Sequence, residues 1–170
     1  MRDRLPALIV AALGFALYSC TSYPFPDWLD SPEFITAAFR LGGFHPPGSP
    51  LAVIAGNLFS LWPFSPPSVS LLWFSAVFAA GALYVLARCV QDLWRFLGPE
   101  RPVVGKIVAF AATSAFALSP GLWSQAVRTE VYTLAFFLFS LALREFLAVV
   151  LSGDFENLER RGVRVSRFCR

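Results

Sequence analysis

Four apolar runs, each close to the length a bilayer demands, divide this chain and point to a bundle of membrane-crossing helices. A helix needs about 20 predominantly apolar residues to cross the hydrocarbon core, and the runs lie at 5–23, 68–90, 103–123 and 131–151. Composition agrees: 56% of residues are hydrophobic, 16% aromatic and only 15% charged, against about 25% charged in a soluble domain. The net charge of +3 does not point to nucleic acid, because the basic residues flank apolar runs and form no aromatic-interleaved patch. The fold class expected is an all-α integral membrane protein.

Charge placement orients the four spans. Arg2, Arg4, Arg88, Arg95, Arg101 and Lys106 fall on one side, joined by the arginines of the tail from Arg160 to Arg170 and by Arg144 at the end of the last run. Arg40 and Arg128 fall on the other. The positive-inside rule then places both termini and the 91–102 loop in the cytoplasm. The 24–67 loop and the turn between the third and fourth spans face outward. Lys106 lies near a span end, where its long stem can snorkel. Cys20, Cys89 and Cys169 are scattered, with neither a disulfide framework nor metal-ligand spacing. Residues 152–170 are polar, lack a packing period and are expected to be a disordered cytoplasmic tail.

The outer loop carries two short helices. Phe34, Ile35, Ala38 and Leu41 recur at helical spacing over 31–41, and Gly42-Gly43 stops that helix. Residues 51–62 are too short to span and are interrupted by Gly56 and Asn57, so they are expected to form an interfacial or re-entrant helix. Tyr23, Phe25, Trp28, Trp62 and Trp123 fall at the outer boundary, where aromatic rings prefer to lie.

Chemistry concentrates in that loop, where Asp30-Ser31-Pro32-Glu33-Phe34 and His45-Pro46-Pro47-Gly48 put two carboxylates and the single histidine of the chain together. Two readings of the acidic pair stand side by side. A spacing of three puts Asp30 and Glu33 on one helix face, so one can accept a proton while the other orients it. Alternatively, Asp30 is an N-cap, Pro32 suits the first turn and Glu33 closes a capping box. His45 is either a polar loop residue or a group aimed by the rigid prolines at a phosphate or carboxylate. At the other outer corner, Arg128 and Glu130 either mark the membrane boundary or, for Arg128, offer a guanidinium to a leaving phosphate.

Three blocks in order carry a resemblance: Asp-Ser-x-Glu-Phe, His-Pro-Pro-Gly-x-Pro and Trp-Ser-Gln…Glu-Val-Tyr-Thr-Leu, borne by Asp30 to Phe34, His45 to Pro50 and Trp123 to Leu134. The chain resembles the N-terminal part of bacterial relatives of the transmembrane protein O-mannosyltransferase family, which is similar to the GT-C class of polytopic glycosyltransferases. The resemblance implies transfer of a sugar, mannose by analogy, from a polyprenyl-phosphate donor to a protein or glycan hydroxyl outside the bacterial inner membrane. It implies Asp30 as catalytic base with Glu33 in support, and it puts His45, Glu130 and Tyr132, with Arg128, on the substrate side. Pro32 stands where glycine is common in the family, and Arg128 where small residues are frequent. Family members have many more spans, so the chain is expected to be a fragment that is inactive by itself. No cofactor is expected, and without a histidine pair or cysteine cluster a divalent metal has no sequence support. The alternatives are a non-catalytic membrane subunit or scaffold and, for the short helix bearing Asn57, part of a transporter.

Overall fold

Prolines punctuate the chain, and helices start where they stand. In the computed structural model these are α1 Leu5–Thr21, α2 Ser31–Arg40, α3 Pro50–Ser60, α4 Pro67–Leu97, α5 Pro102–Ala117, α6 Pro120–Ala126 and α7 Tyr132–Ser152. Each helix before α7 has a proline in its first turn, where a missing N–H leaves no bond unmade and the fixed φ already suits a helix. The structure describes residues 4–22, 30–46, 48–97 and 101–152. Arg2, Tyr23, Phe25, Trp28, Pro47, Cys169 and the expected disordered tail beyond Ser152 lie outside them. Among the described residues the fold is all-α.

Two helices, α4 and α7, are long and apolar enough to cross a membrane, and α5 with α6 makes a third if the bent pair is one span. The 17 residues of α1 fall just short of the same test. The run at 103–123 is divided between α5 and α6. It turns through 67° between α5 and α6, because Pro120 excludes the helical conformation for the residue before it. Ser119 is accordingly extended, at φ −65° and ψ 140°, and its hydroxyl accepts the Leu122 N–H at 3.4 Å to cap α6. The 91–102 loop also shrinks, since α4 continues to Leu97. Asp92 pairs with Arg95 at 3.1 Å along that extension, and Trp94 lies over Gly105 and donates to the Arg101 carbonyl at 3.3 Å. The 31 residues of α4 make about 46 Å of helix, more than the ~30 Å hydrocarbon core.

The bundle is built around α4, which packs against every other described helix. Its buried face is rich in small residues, including Ser70, Ser75, Ala76, Ala79, Ala82 and Ala87, which let neighbouring backbones approach closely. One apolar core joins α4 to α1, α5 and α6 around Val10, Tyr18, Leu83 and Leu122. Tyr18 donates its hydroxyl to the Ala117 carbonyl at 2.8 Å, which satisfies a polar group at the buried end of α5. The other core joins α4 to α2, α3 and α7 around Phe34, Val53, Leu71, Phe74 and Leu134.

Gly56 and Asn57 do not interrupt α3; they dock it. A Cβ on Gly56 would stand 3.1 Å from Ala38, Leu71 and Phe34 at once, so glycine permits the contact with α2 and α4. Asn57 Nδ2 donates to the Ala38 carbonyl at 2.9 Å and the Phe39 carbonyl at 3.3 Å. These carbonyls lie in the last turn of α2, where helical partners run out and the Leu41 N–H reaches the Ala38 carbonyl only at 3.4 Å. The stop of α2 also differs from expectation, because Leu41, not a glycine, takes the left-handed position at φ 51°. Gly42 follows and donates to the Ala37 carbonyl at 2.9 Å. On the far side of α3, Leu51, Ile54 and Leu58 form an exposed apolar stripe.

Candidate functional site

Glu33 does not close a capping box. Neither side-chain cap is formed at the start of α2, because His45 takes the Glu33 carboxylate instead. The backbone N–H of His45 donates to Oε1 at 2.7 Å, and its Nδ1 stands 2.8 Å from Oε2. Asp30 lies across the ring, with Oδ2 3.9 Å from His45 Nε2. All three side chains are half-exposed, and each offers a metal-ligating atom within 4.8 Å of the other two. The single histidine thus meets carboxylates, the second of its two expected roles, with Glu33 as the closer partner. The bonded imidazole holds the Glu33 carboxyl below the usual carboxylate range, against a smaller opposing effect of desolvation.

His45 is held at its other face by a column of rings. Phe44 lies 4.1 Å from it between ring centroids, Phe34 lies 5.9 Å from Phe44, and Phe74 lies 5.7 Å from Phe34. From Phe74 the column continues through Phe78 to Phe137 on α7, at 4.8 and 5.6 Å. The turn after His45 is closed by the Gly48 N–H donating to the His45 carbonyl at 2.8 Å. Gly48 sits at φ 90°, a conformation that glycine adopts without strain.

The third sequence block reaches the same region. Glu130, 2% exposed, precedes α7 in a turn pinned by Ser75 of α4. The Ser75 hydroxyl accepts the Glu130 N–H at 3.1 Å and donates to the Glu130 carbonyl at 3.4 Å. Burial pushes the Glu130 carboxyl up; Arg128 pulls it back, Asp30 pushes it further up and His45 draws it down. Glu130 therefore lies within electrostatic reach of the outer-loop cluster, and no hydrogen bond reaches its carboxylate from the described residues. Arg128 donates Nε to the Ser124 carbonyl at 2.7 Å, closing the end of α6. Tyr132 is 55% exposed and stands apart, lining a cleft of about 270 Å³ with Gln125, Thr133 and Phe136. It shares no hydrogen bond or ring contact with Asp30, Glu33 or His45.

Sequence reasoning missed the supports. Ser75 is a hydroxyl inside an apolar run, and Phe44 reads as one more loop aromatic. The signal for Phe44 is its place immediately before the histidine. Ser75 has no local signal, because its partner lies 55 residues away.

The described residues thus form an all-α bundle with helices long and apolar enough to cross a membrane, and they bring two carboxylates and a histidine together. Residues 30–165 match the protein O-mannosyl-transferase TMEM260 N-terminal domain, and the chain belongs to that family. The match begins at Asp30 and contains all six candidate residues. The chain is also similar to the protein O-mannosyl-transferase tmem260 of Dictyostelium discoideum, at 29% identity over 119 residues. That alignment covers 69% of this chain and 14% of the Dictyostelium protein. No solved structure matches.

Proposed function

We propose that the chain forms the N-terminal membrane portion of a glycosyltransferase of the GT-C type. It transfers a sugar, mannose by the name of its relatives, from a polyprenyl-phosphate donor to a hydroxyl of a protein or glycan. In this reading four helical passes cross the membrane, which is the inner membrane of a bacterium, with both termini cytoplasmic and α2, α3 and the Glu130 turn outside. The observation that carries the proposal is the diversion of Glu33 from helix capping to a two-point grip on His45, beside a half-exposed Asp30. A pair serving only to cap α2 would turn its oxygens to the orphan amides there.

The Asp30 carboxylate accepts the proton of the acceptor hydroxyl as its oxygen attacks the anomeric carbon. The bond from that carbon to the donor phosphate breaks, its electron pair leaves on the phosphate oxygen, and the configuration inverts. Among the described residues Arg128 spends only Nε on the protein backbone, and its other N–H groups suit the departing phosphate. Glu33 and the aromatic column fix the His45 ring beside Asp30.

The test is Asp30→Asn in the full-length protein, assayed with a radiolabelled lipid-linked mannose donor. Loss of a general base lowers transfer by about 10²–10⁴-fold, while membrane insertion and yield stay unchanged. Full turnover by Asp30→Asn would remove the base assignment.

A further inference from the structure

The bend between α5 and α6 opens a cleft of about 270 Å³ against the start of α7. Its walls are of two kinds. Phe116 and Phe136 give it a pair of rings, 5.5 Å apart between centroids and 38° from parallel. Ser119, Gln125, Tyr132 and Thr133 give it hydrogen-bonding groups. The Ser119 hydroxyl is engaged by the Leu122 N–H that it caps. Thr133 and Gln125 differ: Thr133 is 1% exposed, and its Oγ1 and the Oε1 of Gln125 are buried without a hydrogen-bond partner among the described residues. A helical threonine commonly returns its hydroxyl to the carbonyl four residues back, and Thr133 forgoes that bond.

Both orphan groups belong to the wall of one cleft, so a single occupant can meet both. A lipid tail cannot, because hydrocarbon leaves each oxygen unpaired in an apolar medium. No charged side chain lines the cleft among the described residues, so neither a phosphate nor an ammonium finds a counter-charge inside it. Size narrows the choice further. Pockets for drug-sized ligands run to roughly 300–1,000 Å³, and this smaller cleft suits one ring rather than a long chain. A pyranose combines what the walls ask for. Its C–H face lies well on aromatic rings, whose faces are electron-rich. Its hydroxyls both donate and accept, as a threonine hydroxyl and a glutamine amide do.

We propose that the cleft between α6 and α7 is a saccharide subsite. A single neutral pyranose ring lies on the Phe116–Phe136 pair and bonds through its hydroxyls to Gln125 and Thr133. The choice of mannose as that ring rests on the sugar-transfer reading; the subsite itself does not, since binding is measured without the reaction. The ring belongs either to the lipid-linked donor or to a glycan acceptor, and the kinetic arm of the experiment separates the two.

The experiment titrates methyl α-mannopyranoside into the full-length protein, held in a detergent without a sugar headgroup, and follows the thermal midpoint. A saturable rise is expected, beyond the general stabilisation that sorbitol at the same concentrations provides. Thr133→Val and Gln125→Leu should each weaken the mannoside by about 3–10-fold, and Thr133→Ser should keep the parent affinity. Without sugar, the midpoints of the valine and leucine variants should hold or rise, because each loses an unpaired buried oxygen. In transfer assays the same two variants should raise KM, for the donor if it brings the ring and for the acceptor if the glycan does. Mannoside binding by a protein that transfers nothing removes the transfer reading and keeps the subsite. No saturable response, an affinity unmoved in both variants, or an unchanged KM for both substrates overturns it. Where a variant fails to fold, photolabelling of the parent by a diazirine-bearing mannoside decides: label within residues 116–136 supports the subsite, and label only elsewhere overturns it.

Discussion

Ser75→Ala tests whether the third sequence block is held in the site from inside the bundle. Ser75 is fully buried in α4, and its hydroxyl is the partner of both backbone groups of Glu130, at 3.1 and 3.4 Å. Alanine leaves an amide and a carbonyl unpaired at a residue 2% exposed, where water has little access to replace the bond. An unsatisfied buried polar group costs about 1–3 kcal/mol. The 3.4 Å contact is long and contributes less, so about 2 kcal/mol is expected for the pair. At 1.4 kcal/mol per decade, the turn at 127–131 should open about 30-fold more often. Amide hydrogen exchange by mass spectrometry, on the full-length protein in nanodiscs, reads that opening directly in peptides covering the turn. Protection should fall by that factor in Ser75→Ala, while amides of α2 keep theirs. Ser75→Cys, close in size but a weak hydrogen-bonding partner, should fall between. Equal exchange of the 127–131 amides in Ser75→Ala and the parent would refute the reasoning, since the serine would then not be what holds Glu130.

Asn57→Ala should destabilise the protein by about 1 kcal/mol, read as a lowered thermal midpoint in detergent, because the last turn of α2 loses the side-chain donor shared by its Ala38 and Phe39 carbonyls. Phe44→Ala removes the ring that separates His45 from Phe34 and should lower transfer by about tenfold through misplacement of the imidazole. Phe44→Tyr should restore most of it, and equal rates in all three proteins would show that the column does not position His45.

Much of the helical order was legible because its signals are local. Proline at 32, 50, 67, 102 and 120 marks helix starts by chemistry that needs no tertiary partner, and apolar length marks the long helices. The break at Ser119-Pro120 was legible too, but mean hydropathy over 103–123 hides it: a run can be apolar throughout and still bend where an N–H is missing. The acidic pair is a different case. Asp30 and Glu33 at a spacing of three satisfy both the capping and the catalytic readings, and the arbiter is His45, twelve residues on, whose direction depends on the turn at Gly48 and on the ring beneath it. Gly56 and Asn57 misled for a related reason. Both are poor residues for an isolated helix, and their value appears only when α2 lies against them.

One turn of α4 accounts for the convergence of the three blocks, although it carries none of the reactive groups. Phe74 and Phe78 are links in the column that ends on His45, while Ser75, between them in sequence, fixes the backbone of Glu130. The same five residues therefore set where the histidine of the outer loop stands and where the carboxylate before α7 stands. A search for reactive residue types passes over this turn, since it offers rings, a hydroxyl and small apolar residues in the middle of a long apolar run. Its consequence is a definite coupling. A change in α4 at this level should displace His45 and Glu130 together, whereas a change in the proline turn at 46–50 should displace His45 alone. Enlarging Gly56 of α3, beside Phe34 and Leu71, is a third case. It presses on the column from the α3 side and reaches the imidazole through two intervening rings.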